Sequence, residues 1–249
     1  MMRVVGVIPA RWGSTRFPGK SLADIAGRTL VAWVAATARH AGSLDELLVA
    51  TDDERIAAAA EAAGAEAVMT SAGHPSGTDR VAEAVSARKA DIIVNIQGDE
   101  PVLDESLIDR LTDRLEKDER WDMATAAYPI DSEEVLNNPA AVKVVCDRDG
   151  RALYFSRAPI PFVRDGGGDG ETGPFHFRHL GIYAYRRTFL DRLVSEKPCA
   201  MEKAEKLEQL RALYIGGAIA VEESAADGLG VDTPEDAKRA EKVLKDYHV

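Results

Sequence analysis

Cysteine, excess positive charge and long apolar runs are all scarce or missing in this chain of 249 residues. Its two cysteines, Cys146 and Cys199, form neither a CxxC pair nor a Cys/His spacing typical of metal sites. A disulfide framework is therefore not expected, and a reducing compartment fits. No apolar run approaches the length of a membrane span, and the N-terminal apolar stretch is too short for a secretory signal peptide. We therefore expect a cytoplasmic protein that does not associate with a membrane.

Positive charge is in deficit, since 31 lysine and arginine residues stand against 42 aspartate and glutamate residues, a net charge of −11. A general nucleic-acid-binding protein would carry a basic face, so this balance argues against that class. With 45% hydrophobic and 29% charged residues, the composition is that of a globular protein long enough to bury a core. A local basic cluster on such an acidic background is what a small anionic ligand requires.

A basic cluster of this kind follows the first apolar segment. Residues 4–9 (VVGVIP) predict a buried strand, and residues 10–20 (ARWGSTRFPGK) form a polar loop after it. The loop combines three cations, two hydroxyls and two glycines, namely Arg11, Arg16, Lys20, Ser14, Thr15, Gly13 and Gly19. Glycine lets the backbone approach a ligand, backbone N–H groups point at phosphate oxygens, and the cations offset the charge. The pattern favours a polyphosphate site over an ordinary basic surface loop.

This loop is not a Walker A motif. That motif needs glycine, four residues and then Gly-Lys-Ser/Thr, whereas five residues separate Gly13 from Gly19, and Pro18 stands where the second glycine should be. Residues 168–173 match GxGxxG, but they follow a charged loop instead of a strand. The turn after the first strand, where an NAD-type oxidoreductase needs that motif, reads PARWGS. We therefore reject a dinucleotide site.

Apolar segments alternate with amphipathic ones along the first half of the chain. Residues 47–51 (LLVAT) and 91–97 (DIIVNIQ) are nearly continuous apolar runs, and helical patterns separate them. Strands of this kind predict an α/β protein, in which a mostly parallel sheet is flanked by helices on both faces.

The pattern changes in the second half of the chain. Residues 147–150 (DRDG) predict a hairpin turn, residues 164–173 a surface loop of unassigned role, and residues 201–213 a helix. We expect a single domain over residues 1–249, with a β-rich lobe inserted at roughly residues 140–215.

Acidic residues follow two predicted strands or turns. Asp99 and Glu100 come after the DIIVN strand, where two carboxylates behind a glycine suit Mg²⁺. Asp232 precedes Pro234, so it is either a second magnesium ligand or simply a residue at a helix start. Asp99 is likewise open to interpretation as a turn residue. The metal interpretation requires the fold to bring the two segments together.

Other polar residues admit structural interpretations. The turn SGTDR predicts a helix that is capped by Ser76 or Thr78. In the structural interpretation, Arg80 points to solvent one turn later. His179 is more typical of a structural hydrogen-bonding residue than of a catalyst. Glu208 and Gln209 are expected on an exposed helix face.

Seven segments occur in one order along nearly the whole chain. They read PARWGSTRFPGK, HPSGTDR, VNIQGDEP, AVKVVCDRDGRALYFSRAPIPF, RHLGIYAYRR, EKLEQLRAL and GVDTPEDAKR. Together they resemble the 3-deoxy-manno-octulosonate cytidylyltransferases, and the FSRAPIPF, RHLGIY and LEQLR segments are the most specific. The resemblance implies a Rossmann-like nucleotidyltransferase fold. It also implies transfer of CMP from CTP to the anomeric hydroxyl of the sugar, with release of pyrophosphate, in lipopolysaccharide biosynthesis.

The resemblance also implies roles for individual residues. The nucleotide site would comprise Ala10, Arg11, Ser14, Thr15, Arg16, Lys20, Ser76 and Gly77. The sugar site would comprise Arg80, Gln97, Arg157, His179, Tyr183, Glu208 and Gln209. Mg²⁺ would be held by Asp99 and Asp232, which with Arg11 and Lys20 would form the catalytic set. A homodimer formed through the inserted lobe is implied as well.

Two alternatives remain open at this point. The first is a cytidylyltransferase for another acidic sugar, such as an 8-amino analogue or a sialic-type acid, because the phosphate and metal residues would be the same. The second is a non-catalytic regulator that binds a nucleotide.

Overall fold

The computed structural model describes residues 2–13, 17–102, 104–164 and 175–245. In chain order, its strands are β1 (Val4–Ala10), β2 (Asp24–Ile25), β3 (Arg28–Thr29), β4 (Glu46–Thr51), β5 (Glu66–Met69), β6 (Ile92–Asn95), β7 (Met123–Pro129), β8 (Lys143–Cys146), β9 (Ala152–Ser156), β10 (Phe177–Arg186) and β11 (Ile219–Glu223). Its helices are α1 (Leu30–Ala38), α2 (Glu54–Ala62), α3 (Gly77–Ala84), α4 (Glu105–Lys117), α5 (Glu133–Asn137), α6 (Arg187–Ser195), α7 (Ala200–Glu205), α8 (Gln209–Tyr214) and α9 (Pro234–Leu244). Within the described ranges, no helix combines the length and apolar character that crossing a lipid bilayer requires.

The chain divides into two compact units. The first unit comprises Met1–Thr112 together with Gly228–Val249, and the second comprises Asp113–Asp227. The lobe predicted over residues 140–215 falls within the second unit, which extends beyond it at both ends.

The first unit contains a parallel sheet in the strand order β6-β1-β4-β5. Val7 and Ile8 of β1 are both fully buried. Because successive side chains of a strand point to opposite faces, both faces of β1 are covered. Both α1 and α3 contact β1. The predicted α/β class with a parallel sheet is confirmed.

The second unit is built around β7, which pairs in parallel with β11 and antiparallel with β10. Strands β8 and β9 form an antiparallel hairpin, and β8 also pairs with β10. The Asp147 N–H donates to the Arg151 carbonyl at 2.9 Å, and Gly150 has a φ of +79° in the turn between the two strands. The hairpin predicted at this position is confirmed.

One expectation about the second unit is wrong, and one element was not expected. Residues 201–213 do not form one helix, because Lys206 adopts a left-handed conformation (φ 56°, ψ 48°) that ends α7 before α8 begins. Strand β7 (MATAAYP) carries a single β-branched residue, Thr125, and so lacks the composition that marks strands in sequence. Its pairing with β10 and β11 makes it a strand.

Candidate active site

Strands β1 and β6 end at the same edge of the first unit's sheet. They pair with Val7 opposite Asn95, and the Ile96 N–H donates to the Val7 carbonyl at 2.9 Å. Beyond β6, Gly98 approaches β1 so closely that a Cβ atom would stand 2.8 Å from the Pro9 carbonyl oxygen. The loop after β6 therefore lies against the end of β1. Ligands of open parallel sheets bind at this edge.

Lys20 joins two acidic residues that are far apart in the chain. Its Nζ donates to Asp99 Oδ2 at 2.8 Å and to Asp232 Oδ1 at 3.0 Å. The Val231 N–H donates to the Asp99 carbonyl at 2.8 Å, which ties the segment before α9 to the loop after β6. The exposed fractions of the three side chains are 16% for Lys20, 27% for Asp99 and 42% for Asp232, so a ligand can reach them. We call Lys20, Asp99 and Asp232 the Lys20 cluster.

The start of α9 separates the two interpretations of Asp232. The N-cap of α9 is Thr233, whose hydroxyl accepts from the Asp236 N–H while the Asp236 carboxylate accepts from the Thr233 N–H. The Asp232 backbone N–H also donates to Asp236, but the Asp232 carboxylate accepts from Lys20. Thr233 therefore caps the helix, and the Asp232 side chain binds Lys20.

The electrostatics of the Lys20 cluster keep the lysine charged. Burial lowers the pKa of Lys20, but the charge of Asp99 and the hydrogen bonds to both carboxylates outweigh burial, so its pKa is raised. The ammonium thus occupies a position between two carboxylates that suits a cation.

The donor chemistry of Asp99 and Asp232 fits Mg²⁺. This ion binds hard oxygen ligands, takes one or two protein carboxylates and fills its other positions with water and phosphate oxygens. In the part of the chain that the structure describes, no group of three or more His, Cys, Asp or Glu residues is suited to a metal ion. Water and substrate phosphate would therefore have to complete the coordination.

The backbone before Lys20 is shaped by a glycine and a tryptophan. Gly19 has a φ of +70°, and a Cβ atom there would stand 2.8 Å from the Trp12 ring. The Trp12 ring in turn lies under the Arg55 guanidinium, whose central carbon is 3.5 Å from the ring centroid. Glycine is thus required both for the left-handed backbone and for the space that Trp12 occupies.

The other residues of the first loop are placed only in part. Ala10 is buried at the end of β1, and Arg11 is exposed. Ser14, Thr15 and Arg16 lie outside the described residues, so their predicted contacts with a triphosphate stay predictions.

Three further predicted site residues lie in the first unit, two at the start of α3 and one in the loop after β6. Of the two predicted caps, Ser76 is the N-cap of α3, since its hydroxyl accepts from the Asp79 N–H. Gly77 is exposed in the first turn of that helix, and Gln97 is half-buried in the loop after β6.

Arg80 does not point to solvent, contrary to the expectation. Only 4% of it is exposed, because its guanidinium donates to Thr70 Oγ1 at 2.6 Å and to Asp52 Oδ2 at 2.9 Å. Sequence reasoning missed Asp52, although an acidic residue directly after the strand β4 was a signal for it. Asp52 holds Arg80 in one orientation within the first unit.

His179, in the second unit, is a neutral hydrogen-bonding residue. Its Nε2 lies 2.9 Å from Thr125 Oγ1, and that hydroxyl donates to the Ile182 carbonyl at 2.7 Å. Because the hydroxyl has a single proton, Nε2–H must donate to it, which leaves Nδ1 as an acceptor. Burial, with a smaller effect of Arg178, lowers the pKa of His179 to about 3. The ring therefore remains uncharged at neutral pH.

Aromatic rings flank His179 on both sides. The Phe155 ring meets it edge-on with centroids 5.0 Å apart, and the Tyr183 ring lies 5.4 Å away on a tilted plane. Burial, assisted by the Glu208 carboxylate, raises the pKa of Tyr183. The phenol therefore stays protonated and is available as a donor.

Arg157 is held by backbone carbonyls of the second unit. Its Nε donates to the Glu205 carbonyl at 2.7 Å, its Nη1 to the Pro139 carbonyl at 2.8 Å, and its Nη2 to the Lys206 carbonyl at 3.5 Å. These contacts use three of the five N–H groups of the guanidinium. The remaining N–H groups are the part that an anionic ligand can use.

Glu208 and Gln209 are not on an exposed helix face, so that expectation is wrong. Gln209 is 5% exposed in the first turn of α8, and Glu208 is half-buried at its N-cap. The break at Lys206 ends α7 before this segment, so the face predicted for one continuous helix does not apply to it.

Comparisons with known proteins show the family to which the chain belongs. A family model for cytidylyltransferases matches residues 5–224. A 3-deoxy-manno-octulosonate cytidylyltransferase from Syntrophobacter fumaroxidans is 52% identical over 246 residues, which cover 98% of this chain and 97% of that protein. A protein of the same name from Bdellovibrio bacteriovorus is 48% identical, with 98% of each chain covered.

The chain belongs to the 3-deoxy-manno-octulosonate cytidylyltransferase family. A solved structure of a CMP:2-keto-3-deoxy-manno-octonic acid synthetase complexed with CTP matches this cytidylyltransferase with a TM-score of 0.91 and 40% identity. The match covers 97% of this chain and 98% of that one. The resemblance drawn from the seven sequence segments and the nucleotidyltransferase class are confirmed.

Proposed function

We propose that this cytidylyltransferase transfers CMP from CTP to the anomeric hydroxyl of 3-deoxy-manno-octulosonate and releases pyrophosphate. The observation that carries the proposal is the Lys20 cluster, in which Asp99 and Asp232 meet at one ammonium beside the loop that follows β1. The names of relatives 52% and 48% identical over nearly the full length support the choice of sugar. The same chemistry would place the chain in lipopolysaccharide biosynthesis.

The first unit supplies the nucleotide side of the reaction. Lys20 donates to carboxylates that are partly exposed. When CTP binds, the N–H groups of Lys20 can therefore donate to phosphate oxygens instead of to these carboxylates. We assign triphosphate binding to Arg11, Ser14, Thr15, Arg16 and Lys20, and the cytosine side to Ala10, Ser76 and Gly77. Mg²⁺ held by Asp99 and Asp232 would supply positive charge that offsets the charge developing on the phosphates. Positioning and electrostatics therefore carry most of the proposed catalysis.

The second unit supplies groups suited to a polyhydroxylated acid. Neutral His179 offers Nδ1 to a hydroxyl proton, protonated Tyr183 offers a donor, and Arg157 offers N–H groups for a carboxylate. We assign sugar binding to Arg157, His179, Tyr183, Glu208 and Gln209. The sugar-binding roles of Arg80 and Gln97 stay predictions that the sequence resemblance implies.

A substrate panel tests the proposed function. The purified chain is incubated with Mg²⁺ and CTP plus 3-deoxy-manno-octulosonate, its 8-amino analogue or a sialic acid, and pyrophosphate release is measured. ATP, GTP and UTP replace CTP in matched reactions, and reactions without sugar give the background. We expect release with CTP and 3-deoxy-manno-octulosonate at the highest kcat/KM.

Each of the other outcomes of the panel would indicate a different activity for this protein. Release only with the 8-amino sugar or the sialic acid would replace the sugar and leave the cytidylyl chemistry in place. CTP binding without release of its pyrophosphate in the presence of any of the sugars would instead indicate a nucleotide-binding regulator.

We also propose a homodimer formed through the second unit. Large apolar side chains are exposed there, with 87% of Phe162, 57% of Leu153 and 42% of Phe175 open to solvent, which is typical of an interaction surface. Light scattering after gel filtration would give twice the chain mass, and Phe162→Ser would shift it toward the monomer. A monomeric mass at high protein concentration would contradict the proposal.

We also propose that the protein is located in the cytoplasm, and cell fractionation tests this location.

A further inference from the structure

Lys143 is a fully buried lysine that the proposed reaction does not use. Its exposed fraction is 0%, and its Nζ donates to the carbonyls of Asn138 at 3.1 Å, Ala141 at 2.6 Å and Arg157 at 2.6 Å. The three protons of an ammonium thus meet three backbone acceptors. Burying a charge is costly unless it is matched in this way, so the lysine holds a specific backbone arrangement.

One of those three carbonyls belongs to Arg157, whose own guanidinium continues the network. Lys143 binds the Arg157 backbone, and the Arg157 side chain binds the carbonyls of Pro139, Glu205 and Lys206. Two cations therefore organise six backbone carbonyls from the segment before β8, the end of β9 and the corner between α7 and α8.

Glu205 closes the network from the other side. Its carboxylate accepts from the Ser156 hydroxyl at 2.7 Å and from the Arg157 N–H at 3.0 Å. The end of β9 and the end of α7 are thus joined by the Glu205 carboxylate as well as by the Arg157 side chain. Removing one member leaves buried acceptors without donors.

The corner that this network holds is a strained one. Lys206 is not a glycine, yet it has a φ of 56°, a left-handed conformation that is unfavourable for an L-residue because of its Cβ atom. The Arg157 guanidinium binds the carbonyls on both sides of that left-handed turn, at Glu205 and Lys206. Glu208 and Gln209 follow directly, at the start of α8. The direction of the corner therefore sets where these two side chains lie.

We propose that Lys143 is a positioning residue for the sugar side of the second unit, and that it acts through Arg157 on the corner between α7 and α8. The proposal rests on the proposed function, because it assigns Arg157, Glu208 and Gln209 to the sugar. Lys143 itself is fully buried, so we assign it no direct contact with the sugar. Its effect is to fix the Arg157 backbone, from which the guanidinium reaches the corner.

Lys143→Met tests this proposal by removing the ammonium while keeping a side chain of similar length. We expect KM for the sugar to rise about 10-fold while KM for CTP stays within about 2-fold, since the CTP residues lie in the first unit. Lys117→Met is the matched control, because Lys117 is exposed and pairs with Asp113 across one turn of α4. A fall in melting temperature with both KM values unchanged would overturn the proposal, as would equal rises in both.

A double-mutant cycle asks whether Lys143 acts through Arg157. Arg157→Ala alone should raise KM for the sugar, and Lys143→Met should add no further rise in that background. If the two substitutions instead raised KM for the sugar independently, so that the double variant showed the product of the two rises, action through Arg157 would be contradicted. Should Lys143→Met fail to fold, Arg157→Lys probes the same network. The guanidinium uses three different nitrogens to bind the Glu205, Pro139 and Lys206 carbonyls, and the single nitrogen of a lysine cannot replace all three. An unchanged KM for the sugar in Arg157→Lys would also overturn the proposal.

A readout without substrate separates failure of this proposal from failure of the proposed function. Hydrogen–deuterium exchange of residues 205–209 should be faster in Lys143→Met and unchanged in Lys117→Met. If the wild type turns over a different sugar from the panel, the KM comparison is made with that sugar. If the wild type turns over none, the proposed function fails, and the exchange result alone still shows whether Lys143 holds the corner.

Discussion

Lys20 in the first unit and Lys143 in the second are both withdrawn from solvent, but their partners differ. Lys20 is bound by the carboxylates of Asp99 and Asp232, which are themselves 27% and 42% exposed. Lys143 is bound by three backbone carbonyls and is not exposed at all. The first ammonium sits among charges that a ligand can reach, and the second is part of the internal structure.

The difference explains how one kind of side chain performs two tasks. Carboxylates near solvent can exchange one cation for another at little cost, because water and ligand phosphates replace the lost contacts. Buried carbonyls cannot do so, since an unpaired buried acceptor costs about 1–3 kcal/mol. We infer that the Lys20 cluster is arranged to change its partners during turnover, whereas the Lys143 network is arranged to stay as it is.

The largest effect is expected when one carboxylate of the Lys20 cluster is replaced, in Asp99→Asn or in Asp232→Asn. Each should lower kcat by at least about 10³-fold, because the amide no longer provides a charged ligand for Mg²⁺. The melting temperature should change little, since the ion pair is partly exposed. Asp113→Asn, at an exposed helix position, is the control and should keep full activity. Near-normal turnover of either site variant at modest Mg²⁺ would remove that residue from the metal site.

Lys20→Met should separate two roles proposed for the Lys20 cluster, which are to bind the phosphates of CTP and to hold a metal ion. Losing charged hydrogen bonds to phosphate should raise KM for CTP by about 10–100-fold. The nucleotide-free protein should bind Mn²⁺ more tightly, because the two carboxylates lose their internal cation. Manganese binding is measured by electron paramagnetic resonance, with the exposed Lys89→Met as control. Unchanged or weaker manganese binding would show that Lys20 does not occupy the cation position.

In the second unit, His179 should make stability depend on pH. Its folded pKa is about 3 and its ordinary value is 6.5, so the unfolded chain binds the proton first as pH falls. The stability that neutral His179 contributes is therefore complete above about pH 6.5 and is lost as pH falls toward 3. Between pH 7 and pH 5 the wild type should lose about 2 kcal/mol more than His179→Gln. Urea unfolding of both proteins at both pH values measures this difference. Equal losses of unfolding free energy in the wild type and in His179→Gln would mean that the imidazole is hydrated.

The smallest expected effect concerns Ser76, which has both a structural and a proposed binding role. Ser76→Ala should cost about 1 kcal/mol of unfolding free energy, because the α3 N-cap loses its acceptor. Ser132→Ala is a matched control, since Ser132 is the N-cap of α5 but makes no side-chain cap bond. KM for CTP should also rise in Ser76→Ala if the hydroxyl contacts the cytosine. A loss of stability with unchanged KM would leave Ser76 as a cap alone.

Elements with strong local signals were predicted well from the sequence. The nearly continuous apolar runs of β4 and β6 and the DRDG turn between β8 and β9 all appear where expected. Strand β7 was missed because its alanine-rich segment has no marked preference, and pairing with two neighbouring strands makes it extended. The break at Lys206 was missed because a lysine gives no sign of a left-handed turn, which here depends on the Arg157 side chain.

For the candidate site, residue type was predictable and surroundings were not. The cations of the first loop and the acids after β6 and before α9 were recognisable from their chemistry and position. Arg80 was expected in solvent but is buried against Asp52, and Gln209 was expected on an exposed face but is buried. Both errors arise because burial depends on parts of the chain that a local pattern does not include.

The amino-acid order was enough to identify the family and the α/β class, since periodicity, composition and the order of motifs can be read directly along the chain. The basic first loop also predicts an anionic ligand. The amino-acid order could not establish that Lys20 meets Asp232, a residue 212 positions away, or that Thr233 takes the capping role beside it. Nor could it show that Lys143 and Arg157 share one network of backbone carbonyls. Those relations depend on which distant segments the folded chain brings within hydrogen-bonding distance, and only the packed structure defines them.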